Sequence, residues 1–164
     1  MDSKSFGCPA THECSRFSAS NIFSLEDDLL PSRAIKSNYW LAEDAKKGND
    51  QGFVLDLGCK KMVHGVALKN SRNPPHNDRG TRRFKILGSS TQSNGKWQEL
   101  LIGELDDSRT SSPEVEQLMF KSTETLRYLK FELLEFWGNG GGLQHLAAIT
   151  ADTSGGVEVA RYIC

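Results

Sequence analysis

"GFVLDLGCKKMVHGVALKN", residues 52–70, holds two apolar alternations separated by a short polar link. In the first, Phe53, Leu55 and Leu57 fall on one face and Val54 and Asp56 on the other, the period of two that marks a strand with one buried face. The link Cys59-Lys60-Lys61 is short, and the second run (residues 62–70) follows at once, which suggests that the two strands are antiparallel neighbours.

The same pattern continues along the chain. "RRFKILGSS" (82–90) and "KWQELLIGEL" (96–105) flank "TQSNGK", in which Asn94-Gly95 is the dipeptide a type I′ hairpin turn favours because both central residues need positive φ. "VEQLMFK" (115–121), "LRYLKFELLEF" (126–136) and "LQHLAAITA" (143–151) complete a series of seven or more short strands. Helical periodicity is nearly absent; "SLEDDLL" (24–30), with Ser24 as a cap, amounts to one helical turn. Many short strands in one domain predict an all-β sandwich or barrel.

The chain has 164 residues, enough for one domain with a sizeable core, and no repeat or internal composition shift marks a second. We expect a polar leader over 1–14, the β domain over 15–150 and a C-terminal extension over 151–164. With 37% apolar and 25% charged residues and a net charge of −1, the sequence has neither an apolar run of the ~20 residues a membrane-spanning helix needs nor the excess positive charge that holds nucleic acid non-specifically. No apolar core of a secretory signal follows the N-terminal Met. The four cysteines, Cys8, Cys14, Cys59 and Cys164, suit either two disulfides or reduced thiols. Cys8, His12 and Cys14 make half a zinc site at irregular spacing, and no second Cys/His pair follows.

"NYWLAED" (38–44), "GFVLDLG", "MVHGVALKN", "RRFKILGSS", "NGKWQEL" and "LRYLKFELLEFWGNGGGLQHLAAI", in that order and spacing, resemble a discoidin domain, the coagulation factor V/VIII type C domain of the galactose-binding-domain-like superfamily. The likeness runs from about Ser15 to Ile149. It implies a jelly-roll β-sandwich of two antiparallel sheets with ligand loops at one end. Members bind carbohydrate, phospholipid head groups, collagen or other extracellular proteins without catalysing a reaction. The resemblance also implies a disulfide between the termini, which Cys8 or Cys14 with Cys164 would have to supply. Many carbohydrate-binding relatives hold a structural calcium just before the aromatic at Tyr39-Trp40. Here Ile35-Lys36-Ser37-Asn38 stands in that place, and a lysine does not ligate a cation that needs oxygen donors, so neither calcium nor any other cofactor is expected.

The connection "NSRNPPHNDRGTRRF" (70–84) should lie at the ligand end. Pro74 and Pro75 stiffen it, and Arg72, His76, Asn77, Asp78 and Arg79 offer donors and acceptors suited to sugar hydroxyls or anionic groups. The plain alternative is that Asp78 pairs with Arg79 or Arg82 and only holds the loop's shape. Arg82 and Arg83 read as solvated strand residues. Trp137 is the candidate stacking platform beside the flexible "GNGGG" (138–142), with Asn139 as a further ligand residue; the alternatives are an aromatic closing the core and a left-handed turn. Trp40 is assigned to the core, with a sugar-stacking platform as the alternative, Trp97 to packing beside the hairpin, and the polar residues Glu43, Asp44, Asn49 and Asp50 to solvent, with a ligand-facing loop as the alternative.

His12, His64, His76 and His145 lack a neighbouring nucleophile and carboxylate pattern, and His64 and His145 fall in strands. The sequence therefore predicts a non-catalytic module that binds a glycan or glycoprotein, with a protein-interaction or adaptor domain as the alternative. Phospholipid binding ranks last, because the loops are polar. The resemblance points outside the cell and the missing leader points inside it.

Overall fold

A computed structural model describes residues 40–42, 51–91 and 96–150 with their side chains, and the backbone of strand residues 17–20, 22–24, 151 and 157–160. Among the described residues there are nine strands: β1 Phe17–Ser20, β2 Ile22–Ser24, β3 Trp40–Ala42, β4 Gly52–Asn70, β5 Arg79–Ser89, β6 Gln98–Glu104, β7 Val115–Gly138, β8 Gly142–Ala151 and β9 Val157–Ala160. Among the described residues there is no helix, hence none long and apolar enough to cross a membrane.

Two of these strands are far longer than the sequence predicted, and they organise the fold. The runs 52–58 and 62–70 do not pair with each other. Both belong to β4 and pair with β7, first Gly52↔Glu132 through Asp56↔Tyr128 and then, after a register shift, Lys61↔Leu126 through Lys69↔Val115. The expected pair of antiparallel neighbours is therefore corrected to one bent strand. Gly58, at φ 82°, makes the bend with its N–H on the Asp56 carboxylate at 2.9 Å, and a positive φ is what glycine accepts without strain. "VEQLMFK" and "LRYLKFELLEF" likewise join in the single strand β7.

The β4–β7 ribbon doubles back, so a continuous antiparallel ladder supplies two facing layers. One layer combines residues 52–56 and 128–138 with β5, β6 and β1. The other combines residues 61–70 and 115–126 with β8, which pairs in turn with β3 and β9. Asn70, at the end of the second layer, donates from Nδ2 to the Thr81 carbonyl in the first, which fixes both layers at one end of the molecule. The antiparallel pairing of β5 with β6 is as the hairpin reading predicted. β9 falls in the segment read as an extension and adds a strand beside β8.

Phe53, Leu55 and Leu57 are buried as the alternation required, and they meet Val63, Val66, Leu68, Leu143 and Leu146 from the opposite layer. Phe131 lies at the centre, stacked on Phe53 at 5.2 Å and on Phe84 at 5.6 Å. Trp40 joins edge-on at 5.2 Å from Phe53 and 5.7 Å from Phe131, so it is a core residue as assigned. Such aromatic pairs add about 0.5–1.5 kcal/mol each beyond their area burial.

Cys59, just past the bend, is disulfide-bonded. The zinc half-site at Cys8, His12 and Cys14, the clasp to Cys164, the stretch 35–38, the acidic stretch 43–50 and the Asn94-Gly95 turn lie outside the described residues. So does the helical turn beyond Ser24, which itself ends β2.

Candidate functional site

Three connections and the end of β3 gather where the two layers are tied: residues 71–78 between β4 and β5, 105–114 between β6 and β7, and 139–141 between β7 and β8. Three asparagines build this end. Asn70 is buried and fully satisfied: Nδ2 donates to the carbonyls of Thr81 (2.9 Å) and Asp106 (3.0 Å), while Oδ1 accepts from the N–H groups of Thr81 (2.8 Å) and Ser71 (3.0 Å). It thus holds the 105–114 connection against the start of β5.

Asn73 closes the 71–78 connection. Its Oδ1 accepts from the N–H of Asp78 (3.2 Å) and of Arg79 (3.0 Å), its Nδ2 donates to the Asp78 carboxylate (2.8 Å), and its carbonyl accepts from the Asn77 N–H (2.9 Å). Pro74 and Pro75, joined by a cis peptide bond, form the exposed tip with His76. Asn77 takes φ 48°, a left-handed conformation that asparagine tolerates better than most residues.

Asp78 carries the connection across to the third asparagine. Its second carboxylate oxygen accepts from Asn139 Nδ2 at 2.9 Å, and its carbonyl accepts from the Asn139 N–H at 2.7 Å. The Asn73 amide bond holds the Asp78 carboxyl below its ordinary value, partial burial opposes this, and the Asn139 amide and Arg79 reinforce it. Asp78 is thus fixed internally, through two amides and not through Arg82. Gly138 at φ 76° allows the close pass, because a Cβ there would run into the Asp78 carbonyl.

Arg79 is 5% exposed and donates from Nη1 to the Ala42 carbonyl at 2.9 Å, which ties β3 to the same end. Ser71 and Thr81 add hydroxyl bonds to the carbonyls of Arg79 and Gly142. The structure therefore brings all seven sequence-predicted residues to one end but in two layers of depth. Asp78 and Arg79 sit in the frame with Asn77 beside them, whereas Arg72, His76, Asn139 and part of Trp137 reach the surface.

Trp137 is half-buried. Its Nε1 donates to the Leu105 carbonyl at 3.0 Å, and the guanidinium groups of Arg82 and Arg109 lie over its ring at 4.8 and 5.9 Å. Arg109 is held in turn by Asp107 through Nε and Nη2, at 2.9 and 2.7 Å. Arg82 and Arg83 are exposed strand residues, as read from their alternation, and both lie beside Glu135 at 3.5 and 3.7 Å. Arg72 reaches from the first connection to the second, donating from Nη1 to Ser112 Oγ at 3.0 Å.

The sequence reading missed Asn70, Asn73, Asp107 and Arg109. Asn73 carries a local signal, since an asparagine directly before a Pro-Pro tip is a turn former whose side chain bonds backbone a few residues on. Asn70 carries none, because its partners Thr81 and Asp106 are 11 and 36 residues away. The histidines assigned to strands behave so: His64 Nδ1 lies 2.8 Å from Thr123 Oγ1, and His145 sits in β8 opposite Lys69.

No protein-family model matches the chain, and no curated protein does. Solved structures do match. A family 32 carbohydrate-binding module from Clostridium perfringens NanJ, in complex with galactose, superposes with a TM-score of 0.61 at 16% identity over 82% of this chain and 97% of that one. A chitosan-binding module from the chitosanase/glucanase of Paenibacillus sp. IK-5 gives 0.60 at 16% identity, covering 82% and 93%. The F5/8 type C domain of a Bacteroides fragilis protein gives 0.62 at 12% identity, covering 82% and 89%. At these identities the likeness is one of fold, and it is the discoidin-like, galactose-binding-like β-sandwich that the sequence resemblance implied.

Proposed function

We propose that this chain, which has the galactose-binding-like fold of discoidin domains, is a non-catalytic module that recognises a glycan through the end of the sandwich built by residues 71–78, 105–114 and 137–141. Arg72, His76, Asn139 and the exposed part of Trp137 make the contacts. Asn77, Asp78 and Arg79 act through the frame, with Asp78 turning two ligand-end asparagines toward each other.

The observation that supports this reading is the contrast between depth and surface. Beneath the end lies a hydrogen-bonded frame of amides; above it stand a guanidinium, an imidazole and an amide, with the half-buried indole of Trp137 beside them. A rigid support under polar side chains reduces the entropy lost on binding, and such groups suit sugar hydroxyls. The neighbours named as galactose- and chitosan-binding modules support the ligand class.

The test is a glycan array followed by calorimetry on the strongest hit, with Asn139→Ala and His76→Ala. Each variant should weaken binding about three- to tenfold, the loss of one or two hydrogen bonds at an exposed site. Wild-type-like affinity in both would remove this end as the site.

A further inference from the structure

We infer that the glycan recognised at this end carries an anionic group, a carboxylate or a sulfate ester, and that Arg72 is the residue that selects it. This rests on the glycan reading above.

Among the described arginines at this end, each but Arg72 has a carboxylate or a buried carbonyl as partner. The Arg109 guanidinium is clamped by Asp107, Arg82 and Arg83 share Glu135, and Arg79 is buried against the Ala42 carbonyl. Asp78, the acid of the 71–78 connection, already accepts an amide donor on each oxygen. Arg72 stands apart. It is exposed, and its one described bond goes to a neutral hydroxyl, Ser112 Oγ, through Nη1 alone. The remaining guanidinium donors and the full positive charge face solvent.

Position adds to charge. The Asn77 N–H bond to the Asn73 carbonyl closes the turn that His76 and the prolines occupy, with Arg72 directly before its first residue. Ser112 fixes the other end of the Arg72 side chain, so the guanidinium spans two connections instead of ranging freely. A planar fork held in place and lacking a carboxylate is suited to accept one from a ligand in bidentate fashion, or a sulfate ester in the same geometry. The chain's net charge of −1 gives no general attraction for anions, so the selectivity belongs to this locus.

Calorimetry with matched probes tests this: methyl galactoside against methyl galacturonide and galactose 6-sulfate, and N-acetylglucosamine against its 6-sulfate, at low and at physiological salt. The wild type should bind at least one acidic member about three- to fivefold more tightly than its neutral counterpart, the range of a single well-placed exposed ion pair, and the advantage should shrink as salt rises. Arg72→Gln keeps a donor for Ser112 and removes the charge, so the acid-to-neutral ratio should fall to about one. A wild-type ratio near one with measurable neutral binding overturns this inference and leaves the glycan reading standing. A ratio above three that persists in Arg72→Gln overturns the assignment to Arg72. Absence of binding to every probe and every array glycan overturns both.

Discussion

Replacing Asn73 by alanine should cost about 2–5 kcal/mol of folding stability. The side chain is 6% exposed and makes three hydrogen bonds within 3.2 Å, so water does not readily take its place. One of its partners, the N–H of Arg79, belongs to a buried residue, and a buried donor left without an acceptor costs about 1–3 kcal/mol. The Asp78 N–H and carboxylate are only part-buried and recover water in exchange, so each adds roughly 0.5–1 kcal/mol, the net worth of an ordinary hydrogen bond. Urea unfolding followed by tryptophan fluorescence would read the loss as a lower midpoint at unchanged slope. Asn73→Asp makes a sharper companion: it keeps an oxygen that accepts from both N–H groups but sets a second carboxylate against Asp78 in place of the amide donor. Like charges at that distance raise the pair's folded-state pKa, so this variant should gain stability as the pH falls toward 4 while Asn73→Ala does not. A loss below about 0.5 kcal/mol for Asn73→Ala would show that the 71–78 connection is not held by this side chain.

Two glycines at positive φ should differ sharply. Gly58→Ala meets nothing within 4 Å and should cost only the roughly 1–2 kcal/mol of a left-handed residue, whereas Gly138→Ala also strikes the Asp78 carbonyl and should cost clearly more by the same unfolding assay. Phe131→Ala, which empties the space between Phe53, Phe84 and Trp40, should cost about 3–5 kcal/mol by urea unfolding. The folded-state Asp78 carboxyl titrates below its ordinary value, so its contribution is complete above the ordinary 3.8 and is lost only as the pH falls through the depressed value; hydrogen exchange of the Asn139 side-chain amide should stay protected through pH 3.8 and lose protection only below it. Reducing the Cys59 disulfide with dithiothreitol should lower the unfolding midpoint by the equivalent of about 2–4 kcal/mol, and an unchanged midpoint would show that the bond does not constrain the chain.

The fold was largely legible because most of its determinants are local. The alternation of Phe53, Leu55 and Leu57 announces a buried face whatever the strand pairs with, and Trp40 beside apolar neighbours reads as core. The bend at Gly58 was not legible as a fold-over of one strand. A glycine followed by Cys59-Lys60-Lys61 is equally consistent with a hairpin, and only the register against β7 distinguishes the two. At the candidate site the loop residues were found from their types and spacing, but their depth was not. Arg79 begins β5, and its side chain is buried because a carbonyl 37 residues earlier accepts from it. Asn139 meets Asp78 across 61 residues, a pairing that no local pattern encodes.

The most direct test is to titrate isotopically labelled protein with the strongest glycan from the array and to map the amide shifts by nuclear magnetic resonance. The account predicts saturable shifts concentrated in residues 71–78, 105–114 and 137–141, with the opposite end around Gly58 and Arg127 unchanged. Shifts centred on the β6 edge or on the end around Gly58, with the 71–78 connection silent, would contradict it.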